Sequence, residues 1–289
     1  MCMEICFVVL HYLAYEMTKE CVDTLLEVFA GKEFHITIVD NGSPNKSGIK
    51  LKEQYADNSH ITVLINEENL GFAKGNNVGY RYIRERFHPR YIVVMNNDVL
   101  IKDPLFIEKI QNLEDTYGFD VLGPDIYNPN DDIHQNPLRT EPITAEEVRR
   151  RLKISDFIIR HPHMCYAWAV LIAFKNSMFG KKQAEKPVKM YGEPHCDVVL
   201  HGACLIFSSC FMEMRKECFN PQTFIYGEEH ILYHECRKQN LKLVYSPELQ
   251  VEHYMRVATD ASFKSNYRKY INRYKWLQES AIVLLKVLE

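Results

Sequence analysis

The chain has 289 residues, 46% of them hydrophobic and 25% charged, with a formal net charge of −3. That length supports a sizeable core in one large α/β domain or two smaller ones, and the balance excludes disordered and fibrous classes. A slightly acidic total gives the chain as a whole no nucleic-acid footprint.

Nine cysteines without a CxxC pair, and no charged-then-apolar leader, point to free thiols in a reducing, cytoplasmic setting. No stretch reaches the ~18 uninterrupted apolar residues of a spanning helix.

In chain order, residues 5–10 (ICFVVL) predict a strand and 17–29 carry helical spacing. Residues 35–39 (HITIV) predict a second strand that stops at Asp40-Asn41-Gly42-Ser43. A short helix is expected over 49–55, a third strand over 61–65 (ITVLI), a helix over 75–87 after a glycine-rich turn, and a fourth strand over 91–95 (YIVVM). Nearly continuous apolar runs alternating with amphipathic helices indicate a mainly parallel sheet covered on both faces, an α/β class.

Ligands of such sheets bind beyond the carboxyl ends of the strands. Three polar, turn-forming segments fall there: Asp40 to Ser43, the stretch ENLGFAKGNNVG at 68–79, and Asn96-Asn97-Asp98. Any one of them is ordinary turn chemistry; three on one edge suggest a site. A P-loop is excluded by the lack of GxxxxGK[ST], and a dinucleotide fingerprint by His11-Tyr12-Leu13 after the first strand, which has no glycine.

The order VVLHY, IVDNGS, NLGFAKGNNVG, MNNDV, HGACLIF, YGEEH and VEH resembles the family 2 glycosyltransferases of the GT-A fold, especially the bacterial rhamnosyltransferase-like branch that builds surface polysaccharides such as capsule. The likeness runs over residues 4–128 and again over 197–253. It implies an inverting enzyme that moves a hexose or deoxyhexose from a nucleotide-diphosphate sugar, of the UDP or dTDP type, to a sugar hydroxyl.

By that resemblance Asp40 contacts the base, with His11 and Asn41 beside it. Asn69, Gly71, Gly75, Asn76 and Asn77 form the loop and helix start next to the donor, where glycine permits close backbone approach and a helix N-terminus offers N–H groups to an anion. Lys74 either reaches the phosphates or stands in solvent. Asn97-Asp98 occupies the place of the Asp-X-Asp-type metal motif, so Asp98 is expected to hold Mg2+ or Mn2+, with His253 closing the metal site and the pyrophosphate supplying further oxygens.

Tyr226-Gly227-Glu228-Glu229 resembles the family's Tyr-Gly-Glu-Asp motif, whose second acid deprotonates the attacking hydroxyl. Glutamate stands where the family carries aspartate, which leaves open whether Glu228 or Glu229 is the base. An acidic first turn of a helix over 228–239 is the structural alternative. His201, Gly202, Ala203 and Tyr226 are expected on the acceptor side. His134, His161, His163 and His195 show no metal spacing.

The expected organisation is a GT-A domain over 1–255, with a donor and metal half at 1–128, an insertion at 141–196, an acceptor and base half at 197–255, and a helical tail at 256–289. Residues 149–190 hold ten Lys/Arg against two Asp/Glu, interleaved with the apolar run YAWAVLIAF at 166–174. With the tail, this suits peripheral contact with anionic lipid on the inner face of the cell membrane, where a lipid-linked acceptor resides. A basic insertion packed on the core, with a tail helix used for homodimerisation, is the competing reading. A non-catalytic sugar-nucleotide or glycan binding protein, or a nucleotidyltransferase, are the other function classes. The first is disfavoured by the presence of Asp98, Glu228 and Glu229, the second by the missing basic glycine loop after the first strand.

Overall fold

A computed structural model describes residues 3–179, 188–254 and 266–289. Lys181, Lys182 and Lys186 of the basic stretch, and the start of the tail over 256–265, lie outside the described residues.

The first part alternates as expected: β1 (Ile5–His11), α1 (Tyr15–Val28), β2 (Phe34–Asp40), α2 (Ser47–Gln54), β3 (Ile61–Ile65), α3 (Gly71–Arg86) and β4 (Tyr91–Asn96). There follow β5 (Val99–Leu100), α4 (Phe106–Tyr117), β6 (Val121–Asn128), β7 (Ile133–His134), α5 (Ala145–Arg160), α6 (Pro162–Phe179) and α7 (Val188–Tyr191). The chain continues through β8 (His195–Cys196), β9 (Cys204–Ser208), α8 (Ser209–Met214), α9 (Glu228–Lys238), β10 (Leu243–His253) and α10 (Asn266–Leu288).

One sheet runs in the order β3-β2-β1-β4-β9-β6-β10-β5, with β7 on β6 and β8 on β10. β1 to β4 pair in parallel, whereas β9 enters antiparallel between β4 and β6, so the second half is mixed. Side chains alternate across the sheet. Phe7, Val9, Val93 and Met95 join one core with Leu25, Phe29, Leu51 and Ile110, under α1, α2 and α4. Val8, Ile92 and Val94 join a second with Tyr80, Ile83, Phe211 and Leu232, under α3, α8 and α9. A third, smaller core of Ile143, Val148, Ile231, Val283 and Leu284 fastens α5 and α10 to α9.

The glycine-rich stretch differs from its sequence expectation. α3 begins at Gly71, four residues ahead of the expected start at 75, so Gly75, Asn76 and Asn77 lie in its second turn rather than at its start. Gly71, Gly75 and Gly79 recur every four residues, on one helical face. A Cβ on Gly75 would come within 2.8 Å of Leu10, and one on Gly79 within 2.6 Å of Val8. The glycines let α3 sit directly on β1 and β2.

Within the stretch 141–196, expected as an insertion, the described residues also form helices. α5 starts with a capping box in which the Glu147 amide donates to Thr144 Oγ1 (3.2 Å) and the Thr144 amide to Glu147 Oε2 (2.9 Å). α10 packs along α5 and α9. α6 leaves Met164, Trp168, Val170 and Leu171 exposed. Among the described residues no helix is long and apolar enough to cross a membrane.

Candidate active site

The carboxyl ends of β1, β2 and β4 converge. Asp40 closes β2, 3% exposed, with the Ser43 amide donating to its carboxylate at 3.3 Å. Burial raises its pKa and the Ser43 bonds partly offset this. His11, at the end of β1, is fully buried; its ring nitrogens lie 2.6 Å from Thr18 Oγ1 and 2.7 Å from Ser47 Oγ. Burial lowers its pKa to about 4, so it is neutral. Asn97 donates to the same Thr18 hydroxyl (2.8 Å), so β1, α1, α2 and the end of β4 share one polar network.

Three residues expected at the donor are instead engaged by the protein itself. His11 has both nitrogens occupied. Asn41 uses all four of its hydrogen-bonding positions, donating to Asn69 Oδ1 (3.0 Å) and the Gly71 carbonyl (3.0 Å), and accepting from Asn66 Nδ2 (3.2 Å) and the Leu70 amide (3.1 Å). Asn77 donates to the Phe219 carbonyl (2.8 Å) and accepts from its amide (3.0 Å), tying α3 to the segment after α8. Asn69 Oδ1 also accepts the Gly71 amide (2.9 Å), which starts α3. Asn76 donates to the Phe72 carbonyl (3.0 Å), but its buried Oδ1 has no partner. Lys74 is exposed.

The residues expected to hold a metal meet through strand pairing. His253 of β10 is in register with Val99 of β5, and the Tyr254 amide donates to the Asp98 carbonyl (3.2 Å). His253 Nε2 thereby faces Asp98 Oδ1 at 3.2 Å, both side chains largely buried. The other ring nitrogen, Nδ1, lies 2.6 Å from Gln135 Oε1, an amide oxygen that can only accept. Nδ1 therefore carries a proton, which leaves Nε2 to face the Asp98 carboxylate, and one nitrogen with one carboxylate oxygen is a donor set that Mn2+ or Mg2+ accepts; a direct His253–Asp98 hydrogen bond fits the same distance. Among the described residues no third His, Cys, Asp or Glu completes a cluster.

The candidate bases stand at the head of α9, where Gly227 has φ +84°. Glu228 is 4% exposed and its Oε1 has no hydrogen-bond partner. Burial first, then repulsion from Glu229, pushes its pKa up to about 8. Glu229 is only partly buried. Its pKa is also raised by burial, against the Gly202 backbone, which holds it down. Its Oε1 lies 3.0 Å from where a Gly202 side chain would begin, so a Cβ there would press on the carboxylate.

His201, Gly202 and Ala203 join these two groups. The His201 and His253 rings are 6.1 Å apart in an edge-to-face arrangement, the Ala203 amide donates to His201 Nδ1 (3.1 Å), and Ala203 accepts from the Asn96 amide (2.9 Å). One short segment thus runs between the Asp98–His253 pair and Glu229. Tyr226, by contrast, lines a cavity between α5 and α10.

Two contributors were not found by sequence reading. Gln135 orients His253, and the neighbouring Asn136 is fully buried, accepting the His201 amide (2.9 Å) and donating to the Pro124 carbonyl (2.7 Å). The only local signal was a pair of amides ahead of Pro137; their partners are 65 and 118 residues away in sequence.

Comparison with known proteins agrees with this architecture. The profile described as glycosyl transferase family 2 matches residues 6–179, more than half of the chain. The low-salt glycan biosynthesis hexosyltransferase Agl10 of Haloferax volcanii is 22% identical over 246 residues, 85% of this chain and 67% of that protein. S. aureus TarS 1–349, solved in complex with UDP, superposes with a TM-score of 0.54 at 14% identity, over 86% of this chain and 60% of its own. The mannosyltransferase PcManGT from Pyrobaculum calidifontis, solved with GDP-Man and Mn2+, gives 0.55 at 10% identity, over 98% and 74%. The chain therefore spans less than two thirds of the TarS structure, and the structural likeness is one of fold, the GT-A fold.

Proposed function

Because the chain belongs to glycosyl transferase family 2, we propose that it transfers a hexose or a rhamnose-like deoxyhexose from a UDP or dTDP sugar to a saccharide hydroxyl in cell-surface polysaccharide assembly. The observation that carries this reading is the short bridge from His201 to Ala203, which sets Asp98 and His253 on one side and Glu229 on the other. A glycosyl donor needs its leaving diphosphate neutralised at one end and its acceptor deprotonated at the other.

In this reading Asp98 and His253 hold a divalent metal, with Gln135 fixing the histidine tautomer. The metal supplies charge neutralisation at the pyrophosphate. Asp40 receives the nucleoside, and the partner-free Oδ1 of Asn76 and the exposed Lys74 remain for the donor's polar groups. Glu229 accepts the proton of the acceptor hydroxyl as that oxygen bonds the anomeric carbon; the bond to the donor diphosphate breaks, and the configuration inverts. Glu229 is preferred over Glu228 because a base must be reachable, and Glu228 is the more deeply buried of the two, whereas Glu229 stands against Gly202 on the acceptor side. His201 and Gly202 line the acceptor approach.

In the same reading the enzyme contacts an anionic inner membrane face through α5, α6 and α10, supported by exposed Trp168 and Leu171 on α6 and exposed Arg150 and Arg151 on α5. Co-sedimentation with phosphatidylglycerol vesicles and none with neutral vesicles is the expected result; dimerisation through α10 at the same protein concentration, without vesicle binding, would replace it.

The function is tested by thermal shift against UDP, dTDP and GDP sugars, each with and without Mn2+. A metal-dependent shift with one nucleotide class is expected, followed by transfer to a saccharide with inverted anomeric configuration. No shift with any nucleotide would sink the reading.

A further inference from the structure

The glycosyltransfer chemistry leaves one corner of the molecule without a task. Between α5, the head of α9 and α10 lies a cavity of about 260 Å3, larger than the ~150 Å3 apolar cavity known to take up benzene. Ile143, Val148, Leu277 and Leu284 give it aliphatic walls. It borders an open trough of about 750 Å3, with which it shares Ile154 and Tyr274. The trough is walled by α6, where Trp168 and Leu171 stand 67% and 64% exposed. Such a lining favours hydrocarbon over water.

The inner end of the cavity is polar and reaches the candidate bases. Tyr226 and Gly227, immediately ahead of Glu228, line it, and the Ser280 hydroxyl donates to the Ile225 carbonyl (3.4 Å), locking α10 to this loop. His230 also lines it, 7% exposed, with a buried Nδ1 that has no hydrogen-bond partner. Burial, with Arg151 and Arg139 nearby, lowers the His230 pKa to about 4, so the ring offers a hydrogen bond and no charge. The charge comes from Arg151, which lines the cavity, is exposed, and has no ion-pair partner among the described residues. Arg273 lies 5.9 Å from the Tyr226 ring centre.

We propose that this corner binds the hydrocarbon chain and phosphate neck of a lipid-linked saccharide acceptor. An alkyl or isoprenyl chain occupies the cavity and trough, the phosphate faces Arg151 and His230, and the saccharide hydroxyl extends past Tyr226 toward Glu229. The inference rests on the glycosyltransferase reading with the lipid-linked acceptor expected from the sequence, and adds the site that holds that acceptor's chain and phosphate. A flat lipid surface covers exposed side chains but cannot enter a chamber set between three helices. A single chain can, and the trough beside α6 is its way in.

The test is fluorescence titration of the full chain with dansyl-labelled farnesyl phosphate, beside the uncharged dansyl farnesol. Two variants are compared. Ala281→Phe fills the cavity, and Arg151→Glu reverses a charge at an exposed position where the fold is not at stake. Saturable binding is expected, weakened about tenfold or more by Ala281→Phe for both probes and by Arg151→Glu for the phosphate alone. The nucleotide-sugar thermal shift should stay unchanged in both variants. Equal binding of farnesyl phosphate to wild type and Arg151→Glu overturns the proposal even if Ala281→Phe fails to fold. So does association with phosphatidylglycerol vesicles without saturable uptake of the probe. Loss of the nucleotide-sugar shift with farnesyl phosphate binding intact would count against the donor chemistry and leave the lipid site standing.

Discussion

The Phe72 amide donates to the Phe224 carbonyl at 2.6 Å, joining the first turn of α3 to the loop that carries the candidate bases. Gly71 makes that approach possible. It has φ +83°, and a Cβ there would lie 2.8 Å from the Phe224 ring and closer still to its carbonyl oxygen. On the far side the Phe224 ring stacks on Trp276 of α10 at 5.0 Å. The base loop is thus held between the donor-side helix and the tail helix.

Gly71→Ala should therefore cost stability and function together. The left-handed backbone alone costs an L-residue roughly 1–2 kcal/mol, and the overlap with Phe224 adds to it. Urea denaturation should show a loss of at least about that size, with nucleotide-sugar binding and transfer both reduced. A variant with normal stability and normal transfer would mean that the two loops are not coupled.

Much of the donor edge was legible because its signals are local. Apolar runs end where Asp40 and Asn96 to Asp98 begin, and strand ends follow from that change of composition alone. What was not legible depends on distant partners. Asn41 and Asn77 look like ligand contacts in sequence, yet their amides are satisfied by the loop at 66–71 and by Phe219. Gly71 reads as part of a turn because glycine is usually a turn residue, and Gly75 and Gly79 fall in the expected helix; only the partners show that Gly71 faces the Phe224 carbonyl while Gly75 and Gly79 face β1 and β2. Asp98 and His253 were paired by resemblance, and the register of β5 on β10 is the physical reason they meet. Gln135, one of two amides ahead of Pro137, acquires a role only once that pair exists.

Asn77→Ala separates these two kinds of asparagine. Its side chain makes buried bonds to both backbone groups of Phe219, and removing them should cost about 1–3 kcal/mol. At a temperature where the variant is folded, its donor affinity should equal that of the wild type. A specific loss of nucleotide-sugar binding at unchanged stability would return Asn77 to the donor site.

Glu229→Gln should lower transfer by about 10²- to 10⁴-fold, the usual contribution of a general base, while leaving the metal-dependent nucleotide shift in place. Glutamine keeps the shape against Gly202, so a loss reports the proton acceptor and not the packing. Rates near wild type would transfer the role to Glu228 or to another group.

Glu228 sets a pH dependence of stability. Its folded pKa, about 8, lies above that of an ordinary glutamate because burial and Glu229 disfavour its charge. Between the two values the native state holds a proton that the unfolded chain has released, so stability is full at low pH and falls as pH rises toward 8. The loss is on the order of a few kcal/mol. Thermal unfolding from pH 5 to 8.5 should fall more steeply in the wild type than in Glu228→Gln, which has no proton to lose. Parallel curves for the two proteins would show that Glu228 titrates normally.

Gln135→Leu tests the metal pair without touching a ligand. The variant removes the acceptor that fixes His253 Nδ1–H and keeps similar bulk. Released from it, the ring can place its proton on Nε2, where it would bond to Asp98 directly and block a cation. Loss of such an orienting partner typically weakens metal binding 10- to 100-fold, and about that rise is expected in the Mn2+ concentration for half-maximal nucleotide-sugar shift. Saturating Mn2+ should restore the shift, because Asp98 and His253 are still present. In Asp98→Ala, which removes the carboxylate, excess Mn2+ should not restore it. An unchanged Mn2+ requirement in Gln135→Leu would show that His253 lies outside the metal site, whatever Asp98 does.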